Sequence, residues 1–410
     1  MTSNPDASDA STGPLQGFRV IELGSMVAGP FCGRLMADFG AEVIKVEPRV
    51  GDPMRFMGHR KNEKSLYAAS ILRNKELVSI DLRTDEGQEV VRRLVARSDV
   101  VIENFRPGTV ERWNLGYEDL RAINPGIVMV RISGFGQTGK YRSRPGYGIV
   151  GESVSGLRDI NGDPDRPPAR AATSLTDYIS GLYGAFGAMM ALLHRQRTGQ
   201  GQVVDTALCE AAFSFMEPHV PAFDALGVVA KRAGSRLPNN VPNNLYPAKD
   251  GYIHIAAVSK PIFKRFAELM GQGGMAEDPR FSTPLARNEN CEELEQIIID
   301  WTSGQNVAEL EEALIEADVP AARVYSVKDI FEDPYFRERK MILDVPDAEL
   351  GTVALPGVVP HLTGTPGAVR WAGRGTGENT VSVLSELGGY TSEEIEALEH
   401  KGVVSTSGVR

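Results

Sequence analysis

Asp177 stands in the run Ala172-Thr173-Ser174-Leu175-Thr176-Asp177-Tyr178-Ile179-Ser180-Gly181-Leu182-Tyr183-Gly184, where an apolar, small-residue helix begins. A carboxylate at a helix start meets unpaired N–H groups and the positive end of the helix dipole, which keep it ionised and fix its direction. Nucleophilic catalysis would use such a group. A plain helix N-cap, worth ~1 kcal/mol, would use the same residue type at the same place, so the segment alone leaves both readings open. Gly-Phe-Gly-Gln-Thr-Gly at 134–139 matches G-x-G-x-x-G and follows a strand-like run. A dinucleotide loop must then open a helix whose N–H groups meet the pyrophosphate. Here Lys140-Tyr141-Arg142-Ser143-Arg144-Pro145-Gly146 follows, which is not a helix. The same stretch sets Gly134, Gly139 and Lys140 in phosphate-loop order, but Tyr141 stands where Ser or Thr would hold magnesium. A glycine-rich basic loop remains, with ligand contact open to it. Histidines 59, 194, 219, 254, 361 and 400 show no ligand spacing, and no G-x-S-x-G is present.

Alternating strands and helices must position these groups. Apolar and β-branched runs at 18–23, 41–46, 78–82, 99–103 and 127–132 read as strands. Between them, helical spacing covers 31–39, 85–98 and 109–123, with Gly40 ending the first helix. This rhythm predicts an α/β fold around a parallel sheet covered on both faces. A long helix over 178–196 carries little charge until its end and is expected to be buried. After residue 225 the texture changes, through the turn-rich 236–244, to a strand at 252–258 and helices at 261–270 and 306–317. The domain expectation is a loose tail at 1–13, a large domain begun by 14–225, a smaller α+β domain at 226–330, and a return of 331–410 to the large domain. That last part ends in a helix from 392 and a frayed 405–410.

The 410 residues carry 44 Lys+Arg against 54 Asp+Glu, a net charge of −10. So acidic a chain is a poor non-specific binder of nucleic acid. No apolar run approaches the ~20 residues of a membrane span. Three widely spaced cysteines, Cys32, Cys209 and Cys291, exclude a disulfide framework and a CxxC metal site and suit a reducing cytoplasm.

Several blocks together resemble the class III CoA-transferases, the family of formyl-CoA:oxalate and carnitine CoA-transferases. They are GFRVIELGSMVAGPFCGRLMADFGAEVIKVEP (17–48), NKELVSIDLRTDEG (74–87), IENFRPG (102–108), 174–185 with the following GQGQVVDTAL (199–208), NLYPAKDGYIHIA (244–256) and RVYSVKDIF (323–331). Their order and spacing span nearly the whole chain from Gly17. The resemblance implies a Rossmann-like large domain built from both chain ends, a smaller middle domain and an interlocked homodimer. It implies no prosthetic group, with a CoA thioester as substrate and a carboxylic acid as acceptor, succinyl-CoA being one possible donor. It places the family's nucleophilic aspartate at Asp177. It points for CoA contacts to Val27, Ala28, Ile80, Arg83, Asn104, Phe105, Arg106 and Arg112. Arg55, Arg170 and Arg323 are candidates for a second carboxylate. Where acyl-CoA racemases of the family carry a His-Asp pair, this chain reads Pro145-Gly146-Tyr147-Gly148, and Asn379 stands in place of a family histidine. The remaining alternatives are a racemase-like acyl-CoA enzyme, a non-catalytic CoA-binding protein and, against the failed glycine motif, a nicotinamide dehydrogenase.

Overall fold

A computed structural model describes residues 13–406. Seven strands form its main sheet: β1 (Arg19–Glu22), β2 (Glu42–Glu47), β3 (Lys75–Ile80), β4 (Val100–Glu103), β5 (Val128–Ser133), β6 (Val203–Ala207) and β7 (Val404–Ser405). Their order is β7-β3-β2-β1-β4-β5-β6. All neighbours are parallel except β7, which runs antiparallel to β3. The chain steps outward from β1 to β2 and β3, then returns to the other side of β1 for β4, β5 and β6. The strand order therefore reverses between β1 and β4. In open α/β sheets ligands bind beyond the carboxyl ends of the strands at such a switch point.

Side chains alternate across the pleat. Ile21, Ile44, Val78, Val101 and Met129 face one core, shared with Val90 and Leu94 of the helix Asp85–Val95 and with Val383 and Leu384 near the C-terminus. Val20, Val43, Val100, Val128 and Val130 face the other core. There they meet α1 (Ala28–Asp38) and the long α3 (Leu175–Thr198). A shorter α2 (Gly148–Val154) precedes α3. The small residues of α3 permit its close approach. A Cβ on Gly181 would lie 2.7 Å from the Ala28 carbonyl oxygen, and one on Gly184 would lie 3.1 Å from Ile132 Cδ1 and 3.3 Å from Cys32 Sγ. Gly184→Leu is therefore expected to cost at least ~1–3 kcal/mol through overpacking, read as a lowered thermal midpoint.

Several expectations need correction. The first helix begins at Ala28, not residue 31, because Pro30 falls in the first turn, where a missing N–H costs nothing. The helix expected at 109–123 splits into Thr109–Arg112 and Tyr117–Ile123 around Asn114, whose φ is +51°. The long helix buries only one face, leaving Leu182, Phe186, Met190 and Leu193 about half exposed. The end expected to fray enters the sheet, with Ser405 opposite Ser79. The tail expected at 1–13 lies outside the described residues except for Gly13, as do residues 407–410.

Contacts divide the chain into two compact units. One comprises the chain up to Leu157, Ala171–Ala225 and the chain from Tyr335 onward. The other joins Arg158–Arg170 to Leu226–Pro334. The segment 158–170, expected in the large domain, makes its contacts with the second unit: Gly162 O accepts from Gly234 N at 3.0 Å, and Asp159 and Asp163 receive Arg232. That unit holds a three-stranded antiparallel sheet, Asn243–Pro247, Tyr252–Ala256 and Ala321–Arg323, around buried Tyr246, Phe263, Phe266 and Phe281.

Candidate functional site

A cleft of about 200 Å³ opens beyond the ends of β1, β4 and β5, at the place where the strand order reverses. Its walls come from the turn after β1 (Ser25, Met26, Ala28), the turn after β4 (Asn104, Phe105, Arg106) and the loop after β5 (Arg142, Arg144, Gly146, Tyr147). Asp177 reaches it from the start of α3. Among the described residues lining the cleft, Asp177 is the only carboxylate, and none is a histidine.

Local sequence explains the placement of each group. Ser174, not Asp177, is the N-cap of α3, and Asp177 is the third residue of the helix. The capping reading of Asp177 therefore fails, while the helix dipole still favours its charge in the first turn. The Asp177 carboxylate lies directly over Gly148 at the start of α2: a Cβ there would be 2.1 Å from Asp177 Oδ2. Gly134 and Gly146 meet back to back, and a Cβ on either would come within 2.8 Å of the other's Cα. This contact folds the loop after β5 back over the sheet and brings Gly148 beneath Asp177. The glycines of the false dinucleotide motif thus serve close packing.

The start of α3 is braced by aromatic groups. The Tyr178 ring stands edge-on to Phe31 at 4.7 Å, and its hydroxyl is 2.7 Å from the Tyr67 hydroxyl. Burial, then the neighbouring Tyr178 and the charge of Asp177, push the Tyr67 hydroxyl above the usual tyrosine range. Asn104 clamps the turn after β1: its Oδ1 accepts from Ser25 N at 2.7 Å and its Nδ2 donates to Ser25 O at 2.8 Å. The Phe105 amide donates to Glu103 Oε2 at 2.7 Å, and the Phe105 ring stands edge-on to Trp113. Burial pushes Glu103 up to about 6, against the pull of Arg131, whose Nε lies 2.7 Å away. Arg106, Arg142 and Arg144 are exposed at the mouth, and the Arg144 guanidinium lies 3.6 Å over the Tyr141 ring.

Of the positions named from the sequence, the structure brings Ala28, Asn104, Phe105, Arg106 and Asp177 together at the cleft. Val27, Ile80, Arg83 and Arg112 do not line it. Val27 is buried in a small apolar cluster. Ile80 is in the core, paired with Val404. Arg83 is exposed and hooked to Asp81 at 2.7 Å, beyond β3, with β2 intervening before β1. Arg112 donates to Thr109 Oγ1. Arg55 is held by Glu47 at 2.7 and 2.9 Å and borders a separate cavity of about 690 Å³ with Arg60, Lys64 and Arg374. Arg170 and Arg323 belong to the second unit, where Arg323 pairs with Glu311. Asn379 has a structural use: its Oδ1 accepts from Leu77 N, tying the N-cap position of the helix Thr380–Glu386 to β3. The structure also places Met26, Arg142 and Arg144 at the cleft and Gly148 beneath Asp177, none of them named singly from the sequence. The basic run 140–144 was the one visible signal for two of them.

Among the described residues no helix is long and apolar enough to cross a membrane. A sequence model of CoA-transferase family III matches residues 15–380. The chain is 47% identical over 394 residues to succinyl-CoA–D-citramalate CoA-transferase of Chloroflexus aurantiacus, covering 95% of this chain and 98% of the other. It is 36% identical to succinate–glutarate CoA-transferase of Agrobacterium fabrum, covering 91% and 96%. Among solved structures, a CaiB/BaiF family protein from Brucella suis superposes with a TM-score of 0.82 at 34% identity, covering 92% of this chain and all of that one.

Proposed function

This chain belongs to CoA-transferase family III, and we propose that it moves CoA from succinyl-CoA to a second dicarboxylic acid through covalent intermediates on Asp177. The observation that carries the reading is a single carboxylate at the strand-reversal cleft, with three arginines at its mouth. The names of the relatives support succinyl-CoA as donor and a C4 or C5 dicarboxylate, foremost a 2-hydroxy acid such as citramalate, as acceptor.

Four acyl transfers complete the reaction. The Asp177 carboxylate attacks the thioester carbonyl of succinyl-CoA, forming a mixed anhydride and releasing CoA thiolate. The thiolate attacks the aspartyl carbonyl, giving an aspartyl-CoA thioester and free succinate. The acceptor carboxylate attacks that thioester, forming a second anhydride and releasing the thiolate again. The thiolate then takes the acceptor acyl group and restores Asp177. A carboxylate is a weak nucleophile that becomes adequate when desolvated and held against its target. Each step passes through an oxyanion, for which the first-turn N–H groups of α1, which begins at Ala28 on the cleft wall, are proposed as donors. Among the described residues lining the cleft there is no histidine and no second carboxylate to pair with Asp177 in α-proton exchange, which favours transfer over racemisation.

Arg106, Arg142 and Arg144 are proposed to hold CoA phosphates, with Phe105 beside the adenine. Arg83 and Arg112 are proposed for more distant parts of the same long molecule, and Val27 and Ile80 only as backbone support. Arg144→Ala is expected to raise KM for succinyl-CoA about tenfold, since a charge-assisted bond is worth ~1.5–3 kcal/mol, with kcat little changed in steady-state rates. The half-exposed apolar stripe of Leu182, Phe186, Met190 and Leu193 supports a homodimer. Sedimentation equilibrium is expected to return twice the chain mass of 44.5 kDa. A cytoplasmic location suits the free thiols of Cys32, Cys209 and Cys291.

Isotope exchange tests the function. With labelled succinate and succinyl-CoA and no second acid, label is expected to enter succinyl-CoA. With the second acid present, double-reciprocal plots are expected to be parallel. Absence of exchange together with intersecting plots would refute a covalent transferase.

A further inference from the structure

Beneath the turn after β1 lies a chain of fully buried charges: Glu22 of β1, Lys45 and Glu47 of β2, Lys75 of β3, and Asp52. Lys75 Nζ is 2.7 Å from Glu22 Oε2. Lys45 Nζ is 3.6 Å from Glu22 and 2.9 Å from Asp52 Oδ2, and it donates to the Gly24 carbonyl. Glu47 Oε1 accepts from Asp52 N at 2.9 Å. Burial alone would push Lys45 down, but Asp52, Glu22 and Glu47 hold its ammonium above the ordinary value. Buried ion pairs seldom stabilise more than apolar residues of equal volume, so stability does not explain this arrangement. Its end point does. Asp52 Oδ1 accepts from Met26 N at 3.1 Å and from Met54 N at 2.9 Å. Met26 is not glycine, yet its φ is +67°. Such a conformation costs of order 1–3 kcal/mol and persists only where the surroundings impose it. Met26 lies two residues before Ala28, between β1 and the first turn of α1.

We infer that Asp52, oriented by Lys45, is a positioning residue that holds Met26 in the left-handed turn and thereby aims the Ala28 end of α1 at the carbonyl reacting on Asp177. The inference rests on the proposed transferase chemistry. Asp52 itself does not line the cleft and has no place in the acyl transfers.

The informative variant is Lys45→Met with Asp52→Leu, which removes the hold on Met26 without leaving a lone buried charge. It is expected to fold with a lowered thermal midpoint, because Gly24 O, Met26 N and Met54 N lose their side-chain partners. Its kcat is expected to fall about 10²-fold with KM for succinyl-CoA within about threefold, the pattern of a loss confined to the transition state. Asp52→Asn keeps an oxygen for Met26 and is expected to retain more of kcat. Adding Met26→Gly supplies a residue that takes positive φ freely: it is expected to recover kcat at least about tenfold in the apolar pair and to restore whatever kcat Asp52→Asn loses. A purely structural role would give no such rescue. The inference is overturned if the apolar pair keeps kcat within about threefold of the parent, or if glycine recovers nothing. Should the apolar pair not fold, the comparison of Asp52→Asn with and without Met26→Gly decides by the same criterion. Methionine-selective ¹⁵N labelling reads the contact with no substrate present. The Met26 amide resonance is expected to shift on Asp52→Asn, and an unmoved resonance contradicts the hold. A parent enzyme without succinate exchange would instead refute the transferase reading, leaving the amide experiment to judge the hold.

Discussion

Asp177→Ala is expected to lower CoA transfer by about 10⁴-fold or more, as loss of a covalent nucleophile does elsewhere, while the protein stays folded. Asp177 is half-buried at the third position of α3, and Ser174 occupies the N-cap position of that helix. Removing the carboxylate forfeits a dipole interaction of ~0.3–1 kcal/mol and the local polar contacts of one half-buried side chain. The thermal midpoint is expected to shift by no more than a few degrees for so small a change. CoA binding is expected to persist, because the arginines at the mouth are untouched. A steady-state assay paired with calorimetric titration of CoA separates these effects. Loss of transfer with retained binding identifies a reacting group, whereas loss of both identifies a folding defect.

Gly148→Ala should disable the same carboxylate from the other side. The new Cβ would lie 2.1 Å from Asp177 Oδ2 and 2.9 Å from Asp177 Cγ. No such contact can exist, so either the carboxylate swings away or α2 retreats. A displacement of about 1 Å in a reacting group costs on the order of 10²-fold in rate, and kcat/KM is expected to fall by that amount. Stability is expected to change little if the carboxylate swings aside, and to fall by about 1–3 kcal/mol if α2 retreats. Gly148 is the first residue of a helix, is not among the positive-φ glycines, and Ala has the better helical propensity. A variant as stable as the parent but about a hundredfold slower would tie activity to the position of Asp177 Oδ2. Full activity would mean that this carboxylate moves freely or does not react.

Period and punctuation made much of the fold legible in the sequence. Alternating apolar runs marked the strands, and Gly40 and the turn residues marked their ends, so the parallel sheet followed. The helix over 109–123 was misread because its apolar spacing continues through Asn114, where the backbone turns left-handed. The closing strand Val404–Ser405 was missed because two residues show no periodicity and are ordered only by pairing with β3. At the cleft, Asp177 could be found from its helix start and from family resemblance. Ile80 and Arg83 were named by resemblance, but the strand order sets them beyond β2, which no local pattern reveals. Gly148 carried no signal: its role exists only because Gly134 meets Gly146 and folds the loop back. Asp52 was hidden for the same reason, since it acts through a hydrogen bond to Met26, 26 residues away in the chain.

The central claim is that Asp177 carries the acyl and CoA groups in turn. The direct measurement incubates the enzyme with succinyl-CoA and no acceptor, traps with hydroxylamine, and maps the peptide containing Asp177 by mass spectrometry. A succinyl-CoA-dependent mass shift on Asp177, absent with free CoA alone, is the predicted result. An unshifted Asp177 peptide from enzyme that binds CoA and turns over would contradict it.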